Sequence, residues 1–140
     1  MQEFVYAILM VQATYRQAIY KELRALGIDL SFEMLHIIRR LYNQDRIKQQ
    51  ELAALTYKDK SSLSYLLNNM EKKNLIKRIE DKNDKRNKLV ILTEEGRARH
   101  EQIQSIVGAV YHKVETNVDM DRLKRCTAYL KELNEIISND

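Results

Sequence analysis

Between Gln49 and Gly96 four short patterns follow one another with almost no slack. Leu52 and Leu55 mark a short helix over Gln49 to Leu55. Leu63, Leu66, Leu67 and Met70 then recur at the i, i+3, i+4, i+7 spacing of one buried helical stripe. Asp59 stands before this second helix as an N-cap, its carboxylate placed to accept from amides one turn in. Asn74, after Lys72 and Lys73, is a residue that tolerates the left-handed conformation that stops a helix. The second helix is therefore expected over Lys60 to Lys73. Leu75 to Glu80 and Lys88 to Leu92 are β-prone, and the polar Asp81 to Asn87 interval between them is turn-like. Helix, turn, helix and charged hairpin in this order describe a winged helix-turn-helix, a fold that reads duplex DNA.

The second helix leaves a small, polar face outward: Ser61, Ser62, Ser64, Tyr65, Asn68 and Asn69, with cations at Lys60, Lys72 and Lys73. Small hydroxyls permit close approach to a groove floor, and amides and hydroxyls exchange hydrogen bonds with base edges and phosphates. Gln49 and Gln50, at the start of the first helix, are placed to approach phosphates, though ordinary exposed glutamines would look the same. The net charge is +4, distributed as 0 over residues 1–45, +6 over 46–99 and −2 over 100–140. The basic excess lies where phosphate neutralisation would need it.

The flanks are helical. With no proline and three glycines, the chain has few interruptions. Phe4, Ile8, Tyr15, Ile19, Leu23 and Leu26 recur at steps of 3, 4 and 7, predicting one long helix from Glu3 to Leu26, with Gly27 as its stop. Its length exceeds what a compact winged domain needs, which suggests a partner. Ser31 caps a helix to about Tyr42, with Leu35, Ile38 and Leu41 on one side and Arg39 and Arg40 on the other; His36 reads as a packing residue near the stripe. Ile47 is expected to add a short strand against the hairpin. Thr93 caps the helix after the wing, with Glu94 and Glu95 in its first turn. Gly108 within that helix marks a close helix contact or a bend. A break at Asn117 to Asp119 leads to a last helix in which Leu123, Cys126, Leu130, Leu133 and Ile137 form an a/d-like seam, suited to a partner helix or to the chain's own core.

At Leu52-Ala53, Asp59 to Leu67, Leu75 to Arg78, Asp84-Lys85-Arg86 and Leu92-Thr93-Glu94-Glu95-Gly96, the sequence resembles the MarR family of bacterial transcription regulators. The family's pattern there is a leucine-alanine step, a helix entered by a small or hydroxyl residue with a second hydroxyl two positions on, a Gly-Leu-Val-x-Arg strand, an Asp-x-Arg wing tip and a Leu-Thr-x-x-Gly exit. Lys48 stands where the family usually has a capping hydroxyl, Met34 replaces a frequent glutamine and Asn74 the usual glycine. The resemblance implies a homodimer whose N-terminal and C-terminal helices interleave and whose two winged domains face a palindromic operator, as a repressor or an activator, with repression favoured. It places Ser62 and Ser64, with Ser61 and Tyr65 beside them, in the major groove, and Arg86 at the wing tip in the minor groove, whose negative potential attracts arginine. Asp84 would hold the tip by an ion pair, and Lys82, Lys85 and Lys88 would meet phosphates. It further implies a small, often aromatic and anionic effector in a cleft that Tyr15, Arg16, His36 and Arg39 would line. Relatives that sense peroxides use a cysteine in the first helix, and residues 1–30 contain none. Cys126 is expected to behave as a small hydrophobe.

The expected class is thus mainly α with a small β-hairpin wing: an N-terminal dimerisation helix over 1–30, a winged helix-turn-helix over 31–96, and C-terminal dimerisation helices over 97–140. No glycine-rich phosphate loop, metal-ligand spacing or nucleophilic constellation is present in the sequence, so neither catalysis nor a cofactor or metal is expected. One cysteine excludes an intrachain disulfide, and neither a signal peptide nor an apolar run of membrane-spanning length is evident, which points to the cytoplasm and away from a membrane. The competing reading is a winged-helix module that binds another protein. It is weakened by a helix face of serines and asparagines where apolar anchors would be needed.

Overall fold

The computed structural model describes residues 1–56 and 58–138. Its elements, in order, are α1 (Gln2–Ala25), α2 (Phe32–Asn43), β1 (Ile47–Lys48), α3 (Gln49–Leu55), α4 (Lys60–Lys72), β2 (Ile76–Glu80), β3 (Lys88–Leu92), α5 (Glu94–Glu115) and α6 (Met120–Ser138). The fold is mostly helical with a small antiparallel sheet, the winged helix-turn-helix expected from the sequence. The chain divides into two compact units, Met1–Ile106 and Val107–Asp140.

In the first unit β3 lies between β1 and β2, with Ile47 opposite Val90 and Ile76 opposite Leu92. The inward side chains Ile47, Ile76, Val90 and Leu92 are buried with Leu52 of α3 and with Leu63, Leu67 and Met70 of α4. Leu66 is only half-buried, because it sits at the edge of the α4 stripe. In α2 the buried face is Met34, Ile37, Ile38 and Leu41, the i, i+3, i+4, i+7 set. Leu35, expected in that stripe, falls on its flank and is half-buried, and His36 is exposed, not packed. Arg16 and Glu33 join α1 to α2 by a 3.9 Å ion pair, and the Phe32 amide donates to the Tyr20 hydroxyl at 2.9 Å.

Two helices end by the same device. After α1, Gly27 adopts a φ of +68°; its amide donates to Arg24 and that of Ile28 to Leu23. After α4, Asn74 has a φ of 56°, with bonds from its amide to Glu71 and from Leu75 to Met70. Both are six-to-one and five-to-two closures, with the left-handed residue at the first position past the helix cap. The α4 closure ends the helix at Lys72, one residue before the expected Lys73, because Lys73 serves as the cap.

The turn after α4 is joined to the start of α5. Thr93 Oγ1 accepts from the Gly96 amide at 2.9 Å and donates to the Asn74 carbonyl at 2.6 Å, while the Thr93 amide donates to the Leu75 carbonyl at 3.1 Å. A Cβ at Gly96 would lie 2.1 Å from the Leu75 oxygen, so only glycine admits this approach. Further along α5, His100 is buried and stacks on Tyr42, with centroids 4.0 Å apart. The Arg97 guanidinium lies over the same Tyr42 ring and pairs with Asp45.

The second unit contains the end of α5 and all of α6. Asp119 Oδ1 caps α6 by accepting from the amides of Asp121 and Arg122, each at 3.0 Å. No described residue of α6 is buried; Leu123, Leu130 and Ile137 of its seam are exposed, as is Cys126. Leu133, the remaining residue of the seam, is half-buried. An added Cβ at Gly108 would meet nothing within 4 Å, so this glycine does not mark a close contact within the chain. In the other unit, the first half of α1 exposes Val5, Ile8, Leu9 and Val11.

Gly96→Ala is expected to destabilise the fold by roughly 2 kcal/mol, the scale of an overpacked core site, read as a shifted midpoint in urea; an unchanged midpoint would refute the close approach. For His100, desolvation by burial and then the Arg39 charge lower the imidazole pKa from its ordinary 6.5, against a smaller raising effect of Glu101. The native state therefore binds this proton more weakly than the unfolded chain. Stability should be full above about pH 6.5 and fall as the pH drops below it. Between pH 7 and 5 the loss should be smaller in His100→Phe than in the unaltered chain; equal losses would exclude His100 as the cause.

Candidate nucleic-acid interface

The start of α4 is fixed by its cap. Asp59 Oδ1 accepts from the Ser62 amide at 2.8 Å, and Oδ2 accepts from the Ser62 hydroxyl at 2.9 Å. These bonds hold the Asp59 carboxyl below its ordinary pKa, the backbone bond from Ser62 contributing most. The Ser62 hydroxyl is thus engaged in the cap, whereas Ser61 and Tyr65 are exposed without such a role. Ser61, Ser62 and Tyr65 border a shallow hollow of about 490 Å³ that also includes Glu33 and Lys58.

On the other flank of α4, a cleft of about 580 Å³ is lined by Gln49, Gln50, Lys60, Ser64, Arg86 and Lys88, together with Ala53, Leu63, Arg78 and Asn87. Six residues singled out from the sequence, drawn from α3, α4 and the wing, therefore converge on one basic depression. Lys82 and Lys85 are exposed on the wing tip but do not line it.

The tip is held differently from the expectation. Asp84 makes no ion pair with Arg86 among the described residues; its Oδ1 accepts from the Arg86 backbone amide at 3.1 Å and its Oδ2 from the Asn87 side-chain amide at 2.9 Å. A carboxylate two residues before a backbone N–H closes an Asx turn, and this leaves the Arg86 guanidinium to point elsewhere. Buried Asp81 supports the base of the loop, accepting from the Asn83 amide at 3.0 Å and lying 4.0 Å from Lys48 Nζ.

Wing and helix are coupled by a pair that the sequence reading did not assign to the site. Arg78 of β2 donates through Nε to Glu71 Oε1 at 3.0 Å, through Nη2 to Glu71 Oε2 at 2.7 Å, and through its backbone amide to Oε1 at 3.2 Å. The same Nη2 donates to Asn68 Oδ1. The bond from Arg78 holds the Glu71 carboxyl below its ordinary pKa, and Glu71 raises that of Arg78. Glu71 lies one turn beyond Asn68 on α4, a spacing visible in sequence; that a strand arginine reaches both is a tertiary fact.

The four residues expected around an effector are not gathered into either cavity described above. Tyr15 meets the Phe32 ring edge-on at 5.8 Å, and the Arg16 guanidinium sits 4.9 Å from the same centroid. His36 and Arg39 lie exposed on α2, where partial desolvation and then the Arg40 and Arg39 charges lower the His36 pKa. Among the described residues no group of three His, Cys, Asp or Glu side chains is arranged to hold a metal ion. Among the described residues no helix is long and apolar enough to cross a membrane.

A capped helix beside a basic wing, with a cationic cleft between them, defines a winged helix-turn-helix protein of the nucleic-acid-facing kind. Residues 30–88 match the sequence model of the MarR family. The chain is 27% identical over 113 residues to the HTH-type transcriptional regulator SarZ of Staphylococcus haemolyticus, covering 80% of this chain and 73% of that protein. It is 26% identical over 104 residues to the homoprotocatechuate degradative operon repressor of Escherichia coli, covering 74% and 70% respectively. The crystal structure of S. aureus MepR in its DNA-binding conformation superposes with a TM-score of 0.82 at 25% identity, over 96% of this chain and 98% of that one. The family match over residues 30–88, these relatives and the superposed structure together support a MarR-type transcriptional regulator.

Asp84→Ala should loosen the wing tip without unfolding the domain. Hydrogen exchange at the Arg86 amide is expected to accelerate while the melting temperature changes little; unchanged exchange would show that the Asx turn does not hold the tip.

Proposed function

We propose that this chain is a sequence-specific DNA-binding regulator that acts as a homodimer on a palindromic operator, most simply as a repressor. The observation that carries the proposal is the cleft in which Gln49, Gln50, Lys60, Ser64, Arg86 and Lys88 converge from α3, α4 and the wing. With Arg78 and Asn87, four cationic and four neutral polar side chains line this depression, which suits a phosphate backbone. In this reading α4 presents Ser61, Ser64 and Tyr65 to the major groove, Asn68 stands one turn further on, and Arg86 enters the minor groove. Lys82, Lys85 and Lys88 neutralise phosphates, and Asp84 shapes the tip. Support for DNA as the partner comes from the superposition on MepR in its DNA-binding conformation, and support for repression from the likeness to the E. coli operon repressor.

Dimerisation is supported by the apolar residues left uncovered on α1 and, in the other unit, on α6. Exposed apolar surface on this scale marks an interaction face. The division into dimerisation helices over 1–30 and 97–140 and a DNA-binding domain over 31–96 follows from this reading. The proposal involves no catalysis, and its place is the bacterial cytoplasm, where the DNA is. An aromatic, anionic effector is proposed beside Tyr15, Arg16, His36 and Arg39, favoured by the Phe32 and Arg16 contact, and it would act by binding one spacing of the winged domains better than another.

The test is binding of the purified chain to the duplex flanking its own gene, as a salt series with competitor DNA. Affinity should fall steeply with salt. Arg86→Ala should weaken operator binding roughly tenfold or more, and Lys88→Gln should reduce the salt slope by about 1. Binding insensitive to salt, or unaltered by Arg86→Ala, would contradict the assignment.

A further inference from the structure

We infer that Asn68 reads the operator as a hydrogen-bond donor, with its amide held in that orientation by Arg78 and Glu71, and that it therefore selects a guanine or thymine acceptor over adenine. The inference rests on the proposed DNA-reading role of α4 and deepens it. Side-chain amides are ambiguous readers in principle: they carry a donor and an acceptor at one end, and either can be turned outward. At Asn68 the ambiguity is removed by its neighbour. A guanidinium has only donors, so the group facing Arg78 must be the amide oxygen, and Arg78 Nη2 indeed donates to Asn68 Oδ1.

Arg78 is itself not free to follow a rotating amide. Glu71 holds it by Nε at 3.0 Å, by Nη2 at 2.7 Å and by the backbone amide at 3.2 Å. A two-pronged pair plus a main-chain bond fixes the guanidinium plane, and with it the position of the oxygen it faces. Glu71 follows Asn68 by three positions on the same helix, so carboxylate and amide stand on one face and can share one arginine.

The chemical consequence concerns which base edges fit. A bidentate adenine contact needs the amide to accept from N6 and donate to N7 together. Here a base donor brought to Oδ1 would be crowded against the Nη2 hydrogens and the positive charge of Arg78. The NH2 group carries no such conflict. Adenine also offers an acceptor at N7 but sets the N6 donor beside it, which Oδ1 cannot readily take, whereas guanine, with O6 and N7, and thymine, with O4, present acceptors without that unmet donor. Arg78 and Glu71 are positioning residues in this account, and Asn68 is the reader.

The experiment begins with selection of bound sequences from a randomised duplex pool by the full chain. All four base pairs are then tested at every position of the selected site, with the unaltered chain, Asn68→Asp, Asn68→Ala, Arg78→Gln and Arg78→Lys. The unaltered chain is expected to prefer guanine or thymine at one position by roughly fivefold or more. Asn68→Asp replaces the donor by an acceptor and should move that preference toward cytosine, whose N4 donates. Asn68→Ala should flatten it. Arg78→Gln should relax the preference at that position alone, and Arg78→Lys, which keeps a donor for Oδ1, should restore part of it.

Adenine preferred at the position altered by Asn68→Ala would overturn the inference while leaving the DNA-reading role intact. So would an Asn68→Asp profile that is uniformly weaker but unchanged in shape, since Asn68 would then touch only the backbone. An Arg78→Gln loss spread equally over all sequences would reduce Arg78 to a structural or phosphate-binding role and overturn the positioning claim. If the unaltered chain enriches no sequence at all, the DNA-reading role fails, and this inference fails with it.

Discussion

Arg78 ties the wing to the helix it accompanies. Its side chain is mostly sheltered from solvent and is clasped by Glu71 of α4, so the Coulomb attraction acts across a partly desolvated gap. Without that clasp β2 would be held to α4 only by the turn at Asn74 and by apolar packing through Ile76. With it, a bidentate pair and a main-chain bond join β2 to α4 beside the cleft. The same arginine orders Asn68, which joins the rigidity of the scaffold to the identity of the surface it presents.

A second junction works with this one. Asn74 in the left-handed conformation closes α4, its carbonyl receives the Thr93 hydroxyl, and Gly96 lets α5 pass against Leu75. The hairpin is therefore pinned at both its entry and its exit. Its loop relies on local bonds instead: at the base Asp81 accepts from the Asn83 amide, and at the tip Asp84 accepts from the Arg86 amide and the Asn87 side chain. A firm base with a locally braced tip suits the proposed entry of Arg86 into a narrow groove.

Much of this was legible in sequence because it is written in local chemistry. The α3 limits, the β3 limits, the caps at Ser31, Asp59 and Thr93, the short β1 strand and the stops at Gly27 and Asn74 follow from side chains acting within a few residues. Contacts set by packing were less legible. Leu35 and Leu66 sit at the edges of their stripes, where a few degrees decide burial, and His36 lies outside its stripe. The Asp84 ion pair was wrong because the carboxylate is satisfied by the Arg86 backbone amide and the Asn87 side-chain amide beside it. The Arg78 clasp joins residues seven apart across a reversal of the chain, and no periodicity announces it. The apolar seam of α6 could not reveal what covers it, since a pattern of Leu and Ile is the same for a core and for a partner.

The central claim is that α3, α4 and the wing form one DNA-binding surface. Its most direct test is amide hydrogen exchange of the full chain with and without a bound operator duplex. Protection is predicted at residues 49–53, 60–65 and 82–88 together. Tight duplex binding that leaves these three segments unprotected, or protects the wing alone, would contradict the account.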